Sequence, residues 1–183
     1  LELSSFYFDI RKDVLYCDSL NSKKRKNCII VLNIILDCLL KWFAPILVFT
    51  TDEIHSLIDK SEESIHEHQF PSIPKNWKNN ELNDKWKKLY RIKQEVNIAI
   101  EEKRANKTIG SSLEADLSIT VNASNFKILE GLNLAEYFIT SKATKSKSSN
   151  GAELKIQVKK ASGKKCPRCW KILEINCKRC SEV

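Results

Sequence analysis

The spacing of apolar residues predicts helices in the first part of the chain. Apolar side chains recur every three or four positions from Leu3 to Tyr16, and more densely from Cys28 to Phe43, which is the period of an amphipathic helix. The second segment is apolar on most faces, as is typical of the central helix of a bundle. Pro45 predicts either a kink in that helix or its end before a further helix through Glu53 to Ile58.

A polar segment separates these helices from the last long one. Residues 61–83 include Pro71 and Pro74 and show little periodicity, so they predict a loop with short turns. Asp84 is then the predicted N-cap of a long helix that runs to Arg104. Its apolar positions repeat at helical spacing, which predicts that one face of this helix packs against a core.

Beyond the long helix the period of the pattern shortens from 3.6 towards 2, which predicts strands. Residues 115–121 and 154–158 alternate between apolar and polar side chains. A short helix is predicted at 126–134 and a further strand at 137–140, and Asn150-Gly151 is a dipeptide typical of a hairpin turn. The whole pattern predicts a mainly α chain, in which a helical bundle is followed by a small α+β unit.

Composition indicates the cellular compartment in which the chain is expected. The chain is 42% hydrophobic and 30% charged, as in ordinary soluble proteins, and it shows no signal peptide. Its longest apolar stretches are interrupted by polar residues and are too short to span a bilayer. Cys17, Cys28 and Cys38 lie among apolar neighbours, which favours buried thiols in a reducing compartment. We therefore expect a cytoplasmic protein with no membrane partner, and the absence of Met favours a segment of a larger protein.

Positive charge is concentrated in the last quarter of the chain. Residues 1–141 carry nineteen Lys and Arg against twenty Asp and Glu, whereas residues 142–183 carry twelve against three. The favoured interpretation of Lys142, Lys145 and Lys147 is a solvated stretch rich in Ser and Thr. The cations around the C-terminal cysteines are expected to attract phosphate by counterion release, so a nucleic acid is the expected partner.

Two cysteine pairs, Cys166-Pro-Arg-Cys169 and Cys177-Lys-Arg-Cys180, predict a metal site. Four thiolates make a closed tetrahedral shell for one structural Zn²⁺ and leave no open position for a catalytic water. Two disulfides are an alternative that suits small secreted scaffolds, and a redox Cys-x-x-Cys usually opens a helix after a strand. The seven residues between the pairs span up to about 24 Å, so we expect a compact zinc knuckle or minimal ribbon.

Four segments of the sequence form a recognisable series: Leu3–Tyr16, Trp42–Ile54, Ile109–Ala115, and Lys165–Trp170 followed by Cys177–Cys180. In this order they resemble the C-terminal part of bacterial-type isoleucyl-tRNA synthetases. The first three segments alone also resemble valyl- and leucyl-tRNA synthetases, whereas the Cys-Pro-Arg-Cys-Trp tail is similar to the isoleucine family. The loop between the two cysteine pairs is shorter than that family usually has.

The resemblance implies a division of the chain and a parent reaction. It implies a helical anticodon-binding domain over residues 1–108, an α+β junction unit over 109–163 and a zinc-binding module over 164–183. The implied parent reaction is the ATP-dependent attachment of isoleucine to the 3′ end of its tRNA. The two adenylation signatures of that enzyme class are absent from these residues, so we expect this part to bind tRNA without catalysis. Catalytic and editing domains are expected in the missing part of the same polypeptide.

Side chains beside the cysteines are the candidate RNA contacts. Trp170 offers a flat ring on which an unstacked base of the anticodon loop can stack, and Arg168 offers a planar fork of donors. Trp170 could instead cover the metal site as its small core, and both interpretations stay open. The other candidates are cations expected to contact phosphate: Lys165, Lys171, Lys178 and Arg179.

Two other function classes remain open for this sequence. The four-cysteine tail also fits a zinc-finger module that binds DNA, and a preference for tRNA over duplex DNA at equal salt would discriminate the two. The helices also fit a structural docking domain of a valyl- or leucyl-tRNA synthetase, which predicts no RNA affinity. His55, His66 and His68 have no ligand or base partner at motif spacing, so we expect them at the surface.

Overall fold

The structure of the chain is a computed structural model that describes residues 2–60, 63–149 and 154–181. The chain divides into two compact units. Leu20–Lys78 form one, here called the helical unit, and Leu1–Ser19 with Asn79–Val183 form the other, here called the mixed unit. The first nineteen residues therefore belong with the later part of the chain, and this grouping becomes important at the cysteines.

The described residues are mostly helical, as predicted, with two small sheets. In chain order the helices are α1 (Asp9–Cys17), α2 (Lys23–Phe43), α3 (Val48–Ile58), α4 (Asn80–Ala105), α5 (Ala123–Ile128), α6 (Leu134–Tyr137) and α7 (Lys178–Ser181). The strands are β1 (Ala115–Val121), β2 (Lys142–Lys147), β3 (Leu154–Lys160), β4 (Lys164–Lys165) and β5 (Ile172–Leu173). A π-helical segment, Glu2–Phe8, leads into α1, and 3-10 turns lie at Ile65–Glu67, Lys75–Trp77 and Ser112–Glu114.

The helical unit contains α2 and α3. Helix α2 ends at Phe43, just before Pro45, so of the two predicted outcomes, a kink or an end, the structure has the end. A small apolar cluster joins the end of α2 to the 3-10 turn after α3 and consists of Leu40, Ala44 and Ile65. No helix of the described ranges is long and apolar enough to cross a membrane.

Two expectations about buried residues have different outcomes. Cys17, Cys28 and Cys38 are buried, as predicted. The expectation that the histidines lie at the surface is wrong for His55, which is only 9% exposed. Its ring packs edge-on against the ring of His68 at 4.9 Å between centroids, and this contact shields it from solvent.

The long helix α4 of the mixed unit begins earlier than predicted. Its N-cap is Asn79, whose side-chain oxygen accepts a hydrogen bond from the backbone N–H of Leu82 at 2.9 Å. Asp84, the predicted cap, lies inside the helix and pairs with Lys87 at 3.5 Å. The prediction is wrong because an asparagine more than one turn upstream already satisfies a free N–H group of the first turn.

The segment between β1 and β2 also differs from its prediction. It holds two short helices, α5 and α6, where one helix was predicted over 126–134. The strand predicted over 137–140 is wrong, because Tyr137 still belongs to α6 and Ile139 has a φ of +56°, which interrupts extended backbone. The strand that follows begins at Lys142.

The main sheet has the strand order β2-β1-β3, with β1 parallel to β2 and antiparallel to β3. Strands β2 and β3 therefore flank β1 and do not pair with each other, so they are not the two arms of a hairpin. The dipeptide Asn150-Gly151, predicted as a hairpin turn, lies outside the described residues. Helices α5 and α6 form the crossover between the parallel strands β1 and β2.

One face of this sheet supplies the main core. Every second residue of β1 is fully buried, as the alternation in the sequence predicted: Ala115, Leu117, Ile119 and Val121. They pack with the apolar face of α4, which buries Leu89, Val96 and Ile100. Each fully buried aliphatic side chain of this size contributes about 1.5–3 kcal/mol of hydrophobic free energy. This core therefore stabilises the sheet from which the last quarter of the chain continues.

A two-stranded ribbon carries the chain from the sheet to the cysteines. In this ribbon β4 and β5 run antiparallel, with Lys164 opposite Leu173. Gly163, just before β4, has a φ of +124°, and a Cβ there would overlap the carbonyl group of Leu173. Only glycine fits this close approach, so the ribbon turns tightly and brings the two cysteine pairs together.

Candidate metal centre and its contacts with helix α1

Each cysteine pair lies in its own tight turn within residues 164–181, here called the cysteine module. In the first turn, the backbone N–H of Trp170 donates to the carbonyl of Cys166 at 3.0 Å, and Cys166 donates in turn to Lys171 at 2.9 Å. Trp170 itself has a φ of +62°, which closes this turn. In the second turn, the N–H of Cys180 donates to Cys177 at 3.1 Å as α7 begins.

The four sulfur atoms converge on one point. The Sγ atoms of Cys166, Cys169, Cys177 and Cys180 all lie within 4.8 Å of one another. The Sγ atoms of Cys169 and Cys177 are 3.9 Å apart. A tetrahedral site with metal–sulfur bonds of about 2.3 Å requires sulfur–sulfur distances of about 3.8 Å. The four cysteines therefore fit the ligand shell of a single metal ion that prefers soft sulfur donors.

The surroundings of the four thiols have opposing effects on their ionisation. The backbone N–H of Cys169, with a further contribution from that of Arg168, lowers the pKa of the Cys166 thiol to about 7. Burial raises the pKa of the Cys169 and Cys180 thiols. A bound cation favours the thiolate form of all four, because it supplies the positive charge that these buried groups need.

A fifth cysteine, Cys17 at the end of α1, packs against this cluster. Its side chain is 4% exposed and lies in one apolar cluster with Cys166 and Cys169. Burial raises the pKa of the Cys17 thiol, which favours a neutral, packing role. Its position beside the centre was missed from the sequence, where a lone cysteine far from either pair gave no signal.

Helix α1 also supplies the carboxylates that anchor the cysteine module. The guanidinium of Arg179 donates to both oxygens of Asp13, at 2.7 and 2.8 Å, and reaches Asp18 at 3.4 Å. Lys171 lies 3.6 Å from Asp13. Two parallel hydrogen bonds between a guanidinium and a carboxylate are both strong and directional, so this pair fixes the module against α1.

The ionisation of Asp13 reflects this pairing. Burial by itself would raise the pKa of Asp13, but the hydrogen bonds from Arg179 and the nearby charge of Lys171 outweigh it and hold the pKa below the usual carboxyl value. The hydrogen bonds to Asp13 also raise the pKa of Arg179. Asp13 and Asp18 were not predicted as functional residues, although Asp13 lies in the Leu3–Tyr16 segment that carried the resemblance.

The six candidate RNA contacts differ in their contacts and exposure. Lys171 and Arg179 pair with Asp13, and Arg168 donates to the backbone carbonyl of Tyr16 at 2.9 Å. The exposed members of the set are Lys165, Arg168, Trp170 and Lys178. Trp170 is 59% exposed, and the Lys165 ammonium lies 6.0 Å from the centre of its ring. Trp170 therefore presents its ring to solvent, although its backbone lies beside Cys169.

Trp170 also lines a cleft between the cysteine module and α1. The cleft has a volume of about 470 Å³, and Leu113 and Ile139 contribute to its apolar walls. Tyr16, which is 72% exposed, lines it as well. A cleft with aromatic and cationic side chains at its edge can accept a flat, polar ring from solvent.

Comparison with known proteins shows the family to which the chain belongs. Residues 1–120 match the anticodon-binding domain of tRNA ligases. The chain belongs to this family. One similar protein is the isoleucine–tRNA ligase of Pelagibacter ubique, which is 54% identical over 182 residues and 100% of this chain.

Other relatives agree with this assignment to the anticodon-binding domain family. The isoleucine–tRNA ligase of Agrobacterium fabrum is 41% identical over 94% of this chain, and that of Gluconobacter oxydans is 36% identical over 100% of it. The chain spans about a fifth of the length of these relatives, with 20% of the Pelagibacter protein and 19% of the Agrobacterium protein covered.

Proposed function

We propose that this chain is the tRNA-binding C-terminal portion of an isoleucine–tRNA ligase. The whole polypeptide would attach isoleucine to its tRNA with ATP, and this portion would bind the anticodon stem-loop without doing chemistry itself. The observation that carries the proposal is the exposed Trp170 ring on a four-cysteine centre, within a chain whose first 120 residues match an anticodon-binding domain. The similarity to isoleucine–tRNA ligases over the full chain supports the choice of amino acid.

We assign the four cysteines as ligands of one structural Zn²⁺. Thiolate sulfur is the donor that zinc prefers, and the sulfur positions fit a tetrahedral shell. Because four protein ligands leave no open position for water, the ion has a folding role and not a catalytic one. Zinc binding would hold the two turns together and so place Trp170 and the cations around it.

In the proposed mode, the cysteine module holds an unpaired base of the anticodon loop. Trp170 supplies the stacking surface, and its backbone is held by the turn that Cys166 and Lys171 close. Arg168 is positioned by its hydrogen bond to Tyr16, and its planar guanidinium would contact phosphate or a base edge. The remaining cations would contact the phosphate backbone: Lys165, Lys171, Lys178 and Arg179.

The helices would form part of an anticodon-binding bundle in the cytoplasmic enzyme. The modules would be residues 1–108, 109–163 and 164–183, and the partners would be the isoleucine tRNA and the catalytic and editing domains of the same polypeptide. Several large apolar side chains of α2, α3 and the turn between them are exposed, such as Ile30 at 56% and Phe49 at 88%. These side chains support the presence of further protein surface around the two helices.

A titration tests the proposal. The full-length protein, loaded with zinc, is titrated with the isoleucine tRNA and with a copy whose anticodon is altered, at one salt concentration. We expect tighter binding to the native anticodon, and we expect Trp170→Ala to weaken it by about ten- to a hundred-fold, the value of one stacked base. Trp77→Ala is the matched control, because Trp77 is a tryptophan of similar exposure, 56%, that belongs to the helical unit and not to the cysteine module.

Other outcomes of this titration would contradict the proposal. Equal binding of both tRNAs would leave only nonspecific phosphate affinity, and no binding would favour a docking domain. Tighter binding to duplex DNA than to tRNA would favour the DNA-binding alternative. Equal losses of tRNA affinity in Trp170→Ala and Trp77→Ala would show that the cysteine module is not part of the binding site.

A further inference from the structure

The main sheet has a second face that the core does not use. On β1, the residues between the buried ones point away from the core, and they are Asp116, Ser118 and Thr120. Their register partners on the flanking strands continue the same face, with Lys142 and Lys159 beside Asp116. We call this surface the open face. The helices α4, α5 and α6 pack with the buried residues of the opposite face.

The middle of the open face consists of hydroxyl and amide groups. Ser118 and Thr144 are joined by a hydrogen bond of 3.2 Å, and Thr120 and Ser146 by one of 2.9 Å. Gln157 lies opposite Ser118 on the other flanking strand. Each of these side chains keeps further hydrogen-bonding capacity towards solvent. The face therefore offers a flat set of neutral donors and acceptors.

The edges of the open face are positively charged. Among its described positions, three carry exposed lysines, Lys142, Lys155 and Lys159, and one carries a carboxylate, Asp116. Within the described ranges, none of the three lysines forms an ion pair. The lysines that β2 directs to the other face behave differently, because Lys145 and Lys147 cover the ring of Phe126 at 4.5 and 5.1 Å. The face thus has three free cations and an excess of positive charge.

The open face continues into the surroundings of the cysteine module. Asp116 and Lys142 also line a cleft of about 500 Å³. The other side of this cleft is formed by residues of the module, among them Asn176, Lys178 and Arg179. A ligand that contacts Lys178 can therefore extend along the sheet without leaving a cationic surface.

We propose that the open face binds the phosphate backbone of tRNA and extends the contact of the cysteine module along the stem. The inference rests on the proposed function. Lysines, hydroxyls and amides are the side chains that contact phosphate oxygens without reading sequence. A base-stacking surface needs aromatic rings, and a protein–protein interface is usually enriched in them. The positions of the open face given above have neither aromatic nor large apolar side chains. The match to the anticodon-binding family ends at residue 120, so β2 and β3 lie beyond the part that this family describes.

The test removes the three cations of the open face. In the full-length, zinc-loaded protein, the triple variant Lys142→Gln, Lys155→Gln, Lys159→Gln is compared with a control triple, Lys127→Gln, Lys145→Gln, Lys147→Gln. The control lysines belong to α5 and to the other face of β2, so both variants lose the same charge. Binding of the isoleucine tRNA is measured over a series of salt concentrations.

We expect the open-face triple to lower the slope of log K against log salt by about 2 to 3, and to weaken binding by about ten- to a hundred-fold near 0.15 M salt. The loss should be the same for native and altered anticodons, because phosphate contacts carry no sequence information. The control triple should leave the slope and the anticodon preference unchanged. Thermal unfolding checks that both variants fold.

The result can separate this inference from the proposed function. If both triples change the salt slope equally, the open face is not a distinct RNA surface and the inference is wrong. If Trp170→Ala still removes the anticodon preference in that case, the proposed function stands without it. A loss of affinity only for the native anticodon would also overturn the inference, because it would mean that the face reads bases.

Discussion

The core of the main sheet and the cysteine module lie in the same compact unit, but different forces stabilise them. Strand β1 is stabilised by burial, since Leu117, Ile119 and Val121 are almost completely inaccessible to solvent. The cysteine module buries little except sulfur, and its large side chains Trp170 and Ile175 are 59% and 76% exposed. A segment of this size with so little core requires a metal or other cross-links to remain folded.

The difference bears on the two proposed RNA contacts. The sheet can leave one face polar and open because its other face already provides the stability. The cysteine module could expose Trp170 because a metal ion on its four sulfurs, together with the Arg179–Asp13 pair, would hold it in place. In the proposed function, the exposed groups would therefore depend on burial in one region and on a metal ion and charge in the other. The predictions that follow separate these two sources of stability.

The largest effect is expected from removing the metal. Chelation of zinc, or Cys169→Ser, should unfold residues 164–181 and leave the sheet folded, because the apparent binding energy of structural zinc sites is about 10–16 kcal/mol. Hydrogen exchange by mass spectrometry should show lost protection in the cysteine module and retained protection in β1. Cys38→Ser, at another buried cysteine, is the control and should not change zinc content. Protection of the module that survives chelation would show that α1 alone holds it.

A smaller effect is expected from a cavity in the sheet core. Leu117→Ala should lower the free energy of unfolding of the mixed unit by about 2–5 kcal/mol, because the residue is fully buried. Urea denaturation measures the loss, and Ile98→Ala, at a site that is 56% exposed, should change stability by less than about 0.5 kcal/mol. Zinc content under native conditions should stay the same. Loss of zinc in this variant alone would show that the cysteine module depends on the core for its own fold.

The smallest effect is expected from the carboxylate on α1. Asp13→Asn should weaken the contact between the module and α1 by about 1–3 kcal/mol, because it removes a charged hydrogen-bond acceptor from Arg179. The variant should yield zinc to a competing chelator more readily than the wild type. Asp9→Asn on the same helix is the control, since Asp9 forms an exposed ion pair with Lys12 and does not contact Arg179. Equal zinc retention in both variants would contradict a coupling between α1 and the metal centre.

The pH dependence of this contact has a definite sign. The pKa of Asp13 is lowered in the folded state, so the pair contributes its full stability above the ordinary carboxyl pKa of 3.8 and loses it as the pH falls through the lower, folded value. The contact should therefore not change at neutral pH and should weaken only in acid. The Asp13→Asn variant should lack this acid-dependent part of the unfolding free energy.

Local patterns in the sequence predicted the helices and strands that form because of neighbouring residues alone. The alternation along β1 and β3 and the helical spacing along α2 and α4 were sufficient to identify those elements. Strand β2 was missed because Lys142–Lys147 has little apolar alternation, and the lysines at 145 and 147 place their ammonium groups over the ring of Phe126. Its position beside β1 depends on tertiary pairing, which no local pattern encodes.

The residues of the candidate site likewise fall into those that a local pattern predicted and those that it missed. The four cysteines were identified because their spacing within a short segment is diagnostic of a metal centre. Asp13, Asp18 and Cys17 were missed because they reach the centre only through the fold, from a helix more than a hundred residues away. The same long-range contacts give Arg168 and Arg179 partners within the protein, which a basic sequence pattern cannot show.

The pairing of Asp13 with Arg179 spans 166 positions of the chain, and this distance has a consequence for the synthesis of the protein. A ribosome that adds about 5–20 residues per second needs roughly ten to thirty seconds to make the intervening segment. During that time the carboxylate on α1 has no guanidinium to pair with, and Cys17 has no sulfur cluster to pack against. The cysteine module can dock only when its own turns have emerged, so the attachment to α1 is one of the last steps in the folding of this chain.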